Sequence, residues 1–330
     1  MLWEGEPLET ISGANNWKLI IRRETDSITL LQAQTCDRKA ALPEELFGLP
    51  VKALGHHALT PGRAAPQGEE VTITCGNPTG EWDNKGLEEL SLPDTLERAG
   101  DYAFFNCRTL KVLRMSDRLT IWGGGTLMNC RSLDTFEIRC CGNEGEVLSY
   151  LGDELSRELD VTLHWADKGT ARLLFPEYTE EYEENVPHHQ FDFRICGAGY
   201  PYHHSFYQRQ FHLRDYDDLW KGYLSMGHDP DCSMRLAWWR LRFPVELSEK
   251  AEAQYRAYLQ LRCDDTARWL LRERDASGLR FLFTGAEPDK ALLSELCEQA
   301  READAAECLA VLLEEQHRRF PAGAEKSFDL

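Results

Sequence analysis

The feature that most constrains the fold of this chain is a repeat with a fixed spacing of 23 residues. The clearest units are Leu87-x-x-Leu90-x-Leu92, Leu110-x-x-Leu113-x-Met115 and Leu133-x-x-Phe136-x-Ile138. A unit of this size cannot bury its apolar side alone, so neighbouring units stack and share one continuous core. The sequence therefore predicts a solenoid whose outer faces are free to bind a partner.

Each unit ends in an alternation of apolar and polar residues, which is typical of a strand with one buried and one exposed face. We expect Leu90, Leu113 and Phe136 to stack in one column of the core. The outward positions then align across the units in three rows, which form the candidate partner surface. These rows are Ser91, Arg114, Glu137 and Asp160; then Glu89, Val112 and Thr135; and then Ser116, Arg139 and Thr162.

The order of residues within a unit resembles that of the BspA-type leucine-rich repeat family. The matching positions are Leu92-Pro93, Leu96, Ala99-Gly100, Ala103-Phe104 and Cys107. Residues 42–59 are similar to a first unit of the same kind, and 71–75 read as a strand between irregular insertions at 61–70 and 76–86. The resemblance covers roughly half of the chain and implies a leucine-rich repeat fold.

The repeat domain is predicted to span residues 1–165. At its start, 17–21 and 28–31 are rich in strand-forming residues and flank a charged turn, which indicates a hairpin that caps the first unit. At its end, Leu159 and Val161 stand 23 residues beyond Phe136 and Ile138, after a helix-like stretch at 147–155. We therefore expect the period to continue through one further turn.

Residues 215–330 are predicted to form an all-α domain of helical hairpins. Apolar residues there recur at i, i+3, i+4 and i+7, as in Ala305, Cys308, Leu309 and Leu312. Helix starts are expected near Asp229-Pro230, Ser248, Asp264-Asp265 and Pro288. The pairs at 248–274 and 288–318 are loosely similar to ankyrin repeats, and an unrelated helical bundle is the alternative. The whole chain is thus predicted to be an α/β leucine-rich repeat solenoid followed by an all-α domain.

The connecting segment, 166–214, begins with an acidic run and continues with many aromatic residues and histidines. We interpret 191–195 and 211–213 as a hairpin whose aromatic side chains seal the junction between the domains. The alternatives are a binding patch and a metal site, and the candidate metal ligands are His188-His189, His203-His204, Cys196, His228 and Cys232. Adjacent histidines on a strand point to opposite faces, so each pair would contribute one ligand at most.

Charge and cysteine usage limit the classes of partner and the cellular compartment. The formal net charge of -19 argues against a nonspecific nucleic-acid or anionic-membrane surface, because phosphate neutralisation needs clustered Lys and Arg. The sequence shows neither a basic, apolar leader nor the ~18–20 consecutive apolar residues that span a bilayer. An odd total of eleven cysteines without a Cys-x-x-Cys motif predicts free thiols and a cytoplasmic protein.

No catalytic signature stands out in the sequence. The motifs Gly-x-Ser-x-Gly and His-Glu-x-x-His, the Walker loop and a complete dinucleotide fingerprint are all missing from it. We therefore predict a non-enzymatic scaffold that binds a protein partner through its repeats and needs no cofactor. The alternative is a hydrolase-type or metal-dependent enzyme that uses the histidines and aromatic residues of 166–214. The partner's identity and the oligomeric state are not encoded in any recognisable pattern.

Overall fold

A computed structural model of the chain describes residues 9–12, 14–78, 80–185 and 190–321. Its contacts divide the chain into two compact units, Met1–His228 and Asp229–Leu330. The sequence places the start of the helical domain at 215, whereas the contacts group residues 215–228 with the first unit. In the described residues, no helix is both long and apolar enough to cross a membrane.

The first unit combines strands with short helices. Its strands are β1 Glu9–Ser12, β2 Trp17–Arg23, β3 Ile28–Gln34, β4 Lys39–Ala41, β5 Glu45–Leu46, β6 Leu49–Leu54, β7 Glu69–Thr74, β8 Glu89–Ser91, β9 Arg98–Ala99, β10 Val112–Ser116, β11 Ile121–Trp122, β12 Thr135–Cys140, β13 Leu159–Trp165, β14 Gly169–Phe175, β15 Thr179–Asn185 and β16 Gln190–Cys196. Its helices are α1 Glu144–Glu154, α2 Tyr200–His204, α3 Leu213–Asp218 and α4 Trp220–Ser225, with a 3-10 turn at Tyr207–Arg209.

The repeats build a six-stranded sheet in the order β14-β13-β12-β10-β8-β4. All neighbours are parallel except β13 and β14, which are antiparallel and extend the sheet past residue 165. Leu113 aligns with Leu90 on one side and with Phe136 on the other, and all three side chains are fully buried. The predicted core column is confirmed.

The last turn of the repeat is longer than the period predicts. Phe136 aligns with Val161, a spacing of 25 residues, so the predicted alignment of Phe136 with Leu159 is wrong. The chain returns there through α1, which buries Val147, Leu148 and Leu151, whereas the preceding turns return through the short strands β9 and β11. A shift of two residues preserves the face to which each side chain points, because the side-chain period of a strand is two.

A second sheet runs in the order β1-β7-β2-β3-β6-β9-β11. Strands β2 and β3 form the predicted capping hairpin, and β3 joins the first repeat strand of this sheet, β6. The predicted strand at 71–75 exists as β7, but it pairs with β1 and β2 in the cap rather than standing between two repeats.

Gly55 and Gly100 stand 45 residues apart in the sequence, close to two periods, yet they lie in neighbouring turns, so one turn here carries an insertion. Strands β6 and β9 pair directly, and a Cβ atom at Gly100 would lie 2.8 Å from the backbone carbon of Gly55. Only glycine permits this approach of successive turns.

The connecting segment folds differently from the prediction. Strands β15 and β16 form an antiparallel hairpin in which Glu180 aligns with Ile195, so residues 191–195 pair with the acidic run and not with 211–213. Leu213 begins α3 instead of a strand. Pairing segments that are near in sequence closes a shorter loop, which costs less conformational entropy.

The second unit is helical, as predicted. Its helices are α5 Pro230–Arg242, α6 Glu249–Leu261, α7 Cys263–Arg272, α8 Ala276–Gly285, α9 Lys290–Glu302 and α10 Ala306–Arg319. The side chains of Asp229 and Ser248 accept hydrogen bonds from first-turn amides at two predicted helix starts, whereas Asp264 and Asp265 lie within the first turn of α7. Helices α9 and α10 pack together as predicted, but α6 packs mainly on α5 and α7 on α8. The ankyrin-like resemblance stays a prediction.

Candidate functional site

The outward sides of β8, β10, β12 and β13 form the candidate partner surface, which we call the repeat face. Most of its predicted residues are partly exposed: Glu89, Ser91, Val112, Arg114, Thr135, Glu137, Asp160 and Thr162. Arg139 is exposed. The structure therefore brings these side chains to one surface.

Ser116 is the exception, because this residue is only 2% exposed although it stands at an outward position of β10, aligned with Arg139. Its Oγ lies 3.9 Å from Cys141 Sγ and accepts a hydrogen bond from the Arg118 amide at 3.3 Å. The loop that follows β12 covers this end of β10. The prediction of Ser116 as a partner-binding residue is therefore wrong.

The longer last turn also changes how the rows continue onto β13. Glu137 aligns with Thr162 rather than with Asp160, and Asp160 aligns with Thr135. Arg139 aligns with His164, whose side chain is exposed. On β13, Asp160 and Thr162 therefore each lie one row away from the predicted row. The residues on the other strands keep their predicted rows.

The charged residues of the repeat face form a ladder across neighbouring strands. Lys39 Nζ lies 2.5 Å from a carboxylate oxygen of Glu89, and Arg114 bridges Glu89 at 2.9 Å and Glu137 at 3.1 Å. Hydrogen bonds from Lys39 and then from Arg114 hold the pKa of Glu89 below its usual value. We call Lys39, Glu89, Arg114 and Glu137 the charge ladder.

Two further ion pairs flank the ladder. Arg172 on β14 donates to both carboxylate oxygens of Asp160, at 2.8 and 2.5 Å, and Arg139 pairs with Asp94. Lys39, Asp94 and Arg172 were missed by the sequence analysis, although each supplies the opposite charge to a predicted residue. With these, the face carries equal numbers of basic and acidic side chains, in contrast to the net charge of -19 for the whole chain.

Two histidines of this segment, His203 and His204, take part in packing. The His203 side chain is fully buried with Nε2 3.0 Å from the Pro176 carbonyl oxygen, and this burial lowers its pKa to about 4. His204 Nε2 lies 2.9 Å from the Tyr178 hydroxyl. These contacts hold α2 against the end of the repeat sheet.

The predicted metal ligands do not form a metal-sized cluster where the structure describes them. Within the described ranges, Asp117, Cys140 and Glu144 are the only group of three or more potential ligands close enough to hold an ion. His203, His204, Cys196, His228 and Cys232 are not part of it, and His188 and His189 lie outside the described residues.

This unpredicted group lies where three elements of the first unit meet. Asp117 follows β10, Cys140 ends β12, and Glu144 begins α1. Asp117 and Cys140 are buried and Glu144 is partly buried. We call these residues the strand-end cluster. No pattern in the sequence connects them, because their separation reflects the path of the turns and not a local motif.

Comparison with known proteins supports the repeat architecture. Residues 79–145 match the family model described as "BspA type Leucine rich repeat region (6 copies)". No curated protein matches the sequence significantly.

One similar solved structure is the crystal structure of a leucine-rich cell surface protein from Faecalibacterium prausnitzii A2-165. The similarity covers 41% of this chain and 34% of that one, with 18% sequence identity and a TM-score of 0.26. This chain thus spans about a third of that protein's length. On the family match and the repeat register together, the turns within residues 79–145 are BspA-type leucine-rich repeats.

Proposed function

We propose that this chain is a scaffold or adaptor that binds a protein partner through the repeat face. Leucine-rich repeats generally mediate protein–protein contacts, and the comparisons give no indication of a particular partner or reaction. The observation that carries the proposal is the continuous polar surface of four parallel strands in register. A cytoplasmic location is part of the proposal and is supported by the odd number of cysteines.

The chemistry of the face favours a polar protein surface as partner. Its outward positions offer hydroxyl groups on Ser91, Thr135 and Thr162 beside charges of both signs, and Val112 is the one aliphatic residue among the predicted contacts. Equal numbers of opposite charges repel neither acidic nor basic partners as a whole. They provide no basic stripe of the kind that neutralises nucleic-acid phosphates or anionic lipids.

The internal pairing of the charges determines the expected strength of binding. A partner that engages Arg114 must compete with Glu89 and Glu137, which already bind that guanidinium. Exposed ion pairs contribute about 0–1 kcal/mol each and are screened by salt. We therefore expect an interaction of modest affinity whose strength falls as the salt concentration rises.

The experiment reverses the whole ladder at once, with Lys39→Glu, Glu89→Lys, Arg114→Glu and Glu137→Lys in one variant. This variant keeps opposite charges beside each other but inverts the pattern that a partner meets. Partners captured from native cell extract by the wild-type chain should be lost, while the melting temperature changes by no more than a few degrees.

The matched control reverses the exposed pair of the second unit, Arg268→Glu with Glu295→Arg, whose side chains are 3.1 Å apart. This control should retain the partners of the wild-type chain. If the ladder-reversal variant still captures the partners and the control variant does not, the interface lies on the helical unit and the proposal is refuted.

A further inference from the structure

Three groups that can ligate a metal converge in the strand-end cluster. One ligand atom from each of Asp117, Cys140 and Glu144 lies within 4.8 Å of those of the other two. Strands β10 and β12 are parallel neighbours, so their carboxyl ends deliver the first two residues to one edge of the sheet. Glu144 reaches the same edge because α1 begins four residues after β12 ends.

Asp117 is held in a fixed orientation by the loop that follows β12. Its Oδ2 accepts hydrogen bonds from the amides of Cys141, Gly142 and Asn143 at 2.7, 3.0 and 2.7 Å. Gly142 has a φ of +112°, which lets the loop turn around the carboxylate. The residue has 0% exposure, yet its Oδ1 is buried without a hydrogen-bond partner among the described residues.

In Glu144, too, the two carboxyl oxygens differ in their hydrogen bonding. Its Oε1 accepts a hydrogen bond from Trp165 Nε1 at 3.3 Å, whereas its Oε2 is buried without a partner in the described part of the chain. No Lys, Arg or His of the described residues forms an ion pair with Asp117 or Glu144. Buried carboxyl oxygens without a hydrogen-bond partner are costly, and a bound ion is one of the few arrangements that satisfies them.

We propose that Asp117, Cys140 and Glu144 bind one divalent cation, and that Zn²⁺ fits this donor set best. A sulfur ligand favours Zn²⁺ over Mg²⁺ and Ca²⁺, which prefer oxygen ligands alone. Zn–S and Zn–O bonds of about 2.3 and 2.1 Å place tetrahedral ligands roughly 3.5 Å apart. The three ligand atoms already lie within 4.8 Å of one another, so they need to close in by no more than about 1.3 Å on binding.

The binding step is a proton-coupled ligation. The Cys140 thiol releases its proton to solvent as the S–Zn bond forms, and a water molecule completes the tetrahedron beside the two carboxylates. The ion would join the ends of β10 and β12 to the start of α1. It would therefore stabilise the last turn of the repeat, which returns through α1 instead of a short strand. The ion would also raise the free energy of unfolding, because only the folded chain assembles the site.

The test uses the full-length chain, freed of metal with a chelator, reduced without added thiols, and titrated with Co²⁺ alone and Zn²⁺ alone. The wild-type chain should bind one equivalent of Co²⁺ with a sulfur-to-cobalt charge-transfer absorption, which Zn²⁺ displaces. Zn²⁺ should also raise the melting temperature by several degrees. Cys140→Ser should abolish the absorption, and Glu144→Gln should weaken Co²⁺ binding at least about tenfold.

Cys141→Ser is the matched control, because Cys141 is the adjacent residue and its side chain is exposed. It should leave both the absorption and the affinity unchanged. The proposal is overturned if the folded wild-type chain binds no stoichiometric metal, if Glu144→Gln binds Co²⁺ as tightly as the wild type, or if Cys141→Ser loses the absorption. Should Cys140→Ser not fold, the Glu144→Gln titration decides the question by itself.

Discussion

The inward and outward faces of the repeat strands are stabilised by different kinds of contact. On the inward face, Leu90, Leu113 and Phe136 have no exposure and depend on the turns on either side to fill the core. On the outward face, Glu89, Arg114 and Glu137 are partly exposed and satisfy one another as ion pairs. The inward face thus specifies the fold, while the outward face is free to vary with the partner.

The largest effect is expected from Leu113→Ala on the inward face. The substitution leaves a cavity between Leu90 and Phe136, and it should lower the free energy of unfolding by about 2–5 kcal/mol. The matched control is Val112→Ala, the adjacent outward residue, which should cost less than about 1 kcal/mol. Chemical denaturation of both variants measures the difference. Equal losses would show that the two faces do not differ as described.

A second prediction concerns His203, a buried titratable group at the end of the repeat sheet. The centroid of its ring lies 5.8 Å from that of the Phe175 ring on β14. Burial lowers the pKa of His203 to about 4 in the folded chain, whereas the unfolded imidazole takes up a proton near pH 6.5. Between these values the unfolded state binds more protons. Stability should therefore fall as the pH drops from about 6.5 to 4, by about 3 kcal/mol in total from this residue.

The measurement is the free energy of unfolding at pH 7 and pH 4.5 for the wild type and for His203→Gln. The variant should lose part of the pH dependence, because it removes the group whose charging is penalised. His164→Gln is the control, since that ring is exposed. A wild-type pH slope that persists unchanged in His203→Gln would assign the acid sensitivity to other groups.

The smallest effect is expected from Arg114→Ala in the charge ladder. Its side chain is 37% exposed, so the loss of both ion pairs should lower the free energy of unfolding by less than about 1 kcal/mol, and less in high salt. Denaturation at low and high salt measures this change. A loss above about 2 kcal/mol would mean that the ladder is a structural element, and the contrast between the two faces would then need revision.

Much of the repeat domain was predictable because its information is periodic. The columns through Leu90, Leu113 and Phe136, and the outward positions Arg114 and Glu137, follow from the 23-residue spacing alone. Prediction failed where the chain leaves that period. The return through α1 lengthens the last turn and moves Asp160 by one row position, and the burial of Ser116 depends on a loop from the next turn.

The sequence by itself determined the stacking unit, the inward column, the capping hairpin and the helical second half, because each of these depends on contacts near in sequence or on a repeated pattern. Only the tertiary structure decided that β7 joins the cap, that Lys39 and Arg172 complete the pairs on the repeat face, and that Asp117, Cys140 and Glu144 meet. These contacts join residues that lie in different turns. Their distances are determined by how many residues each turn takes to return, and non-repeating insertions leave no pattern from which that number can be read.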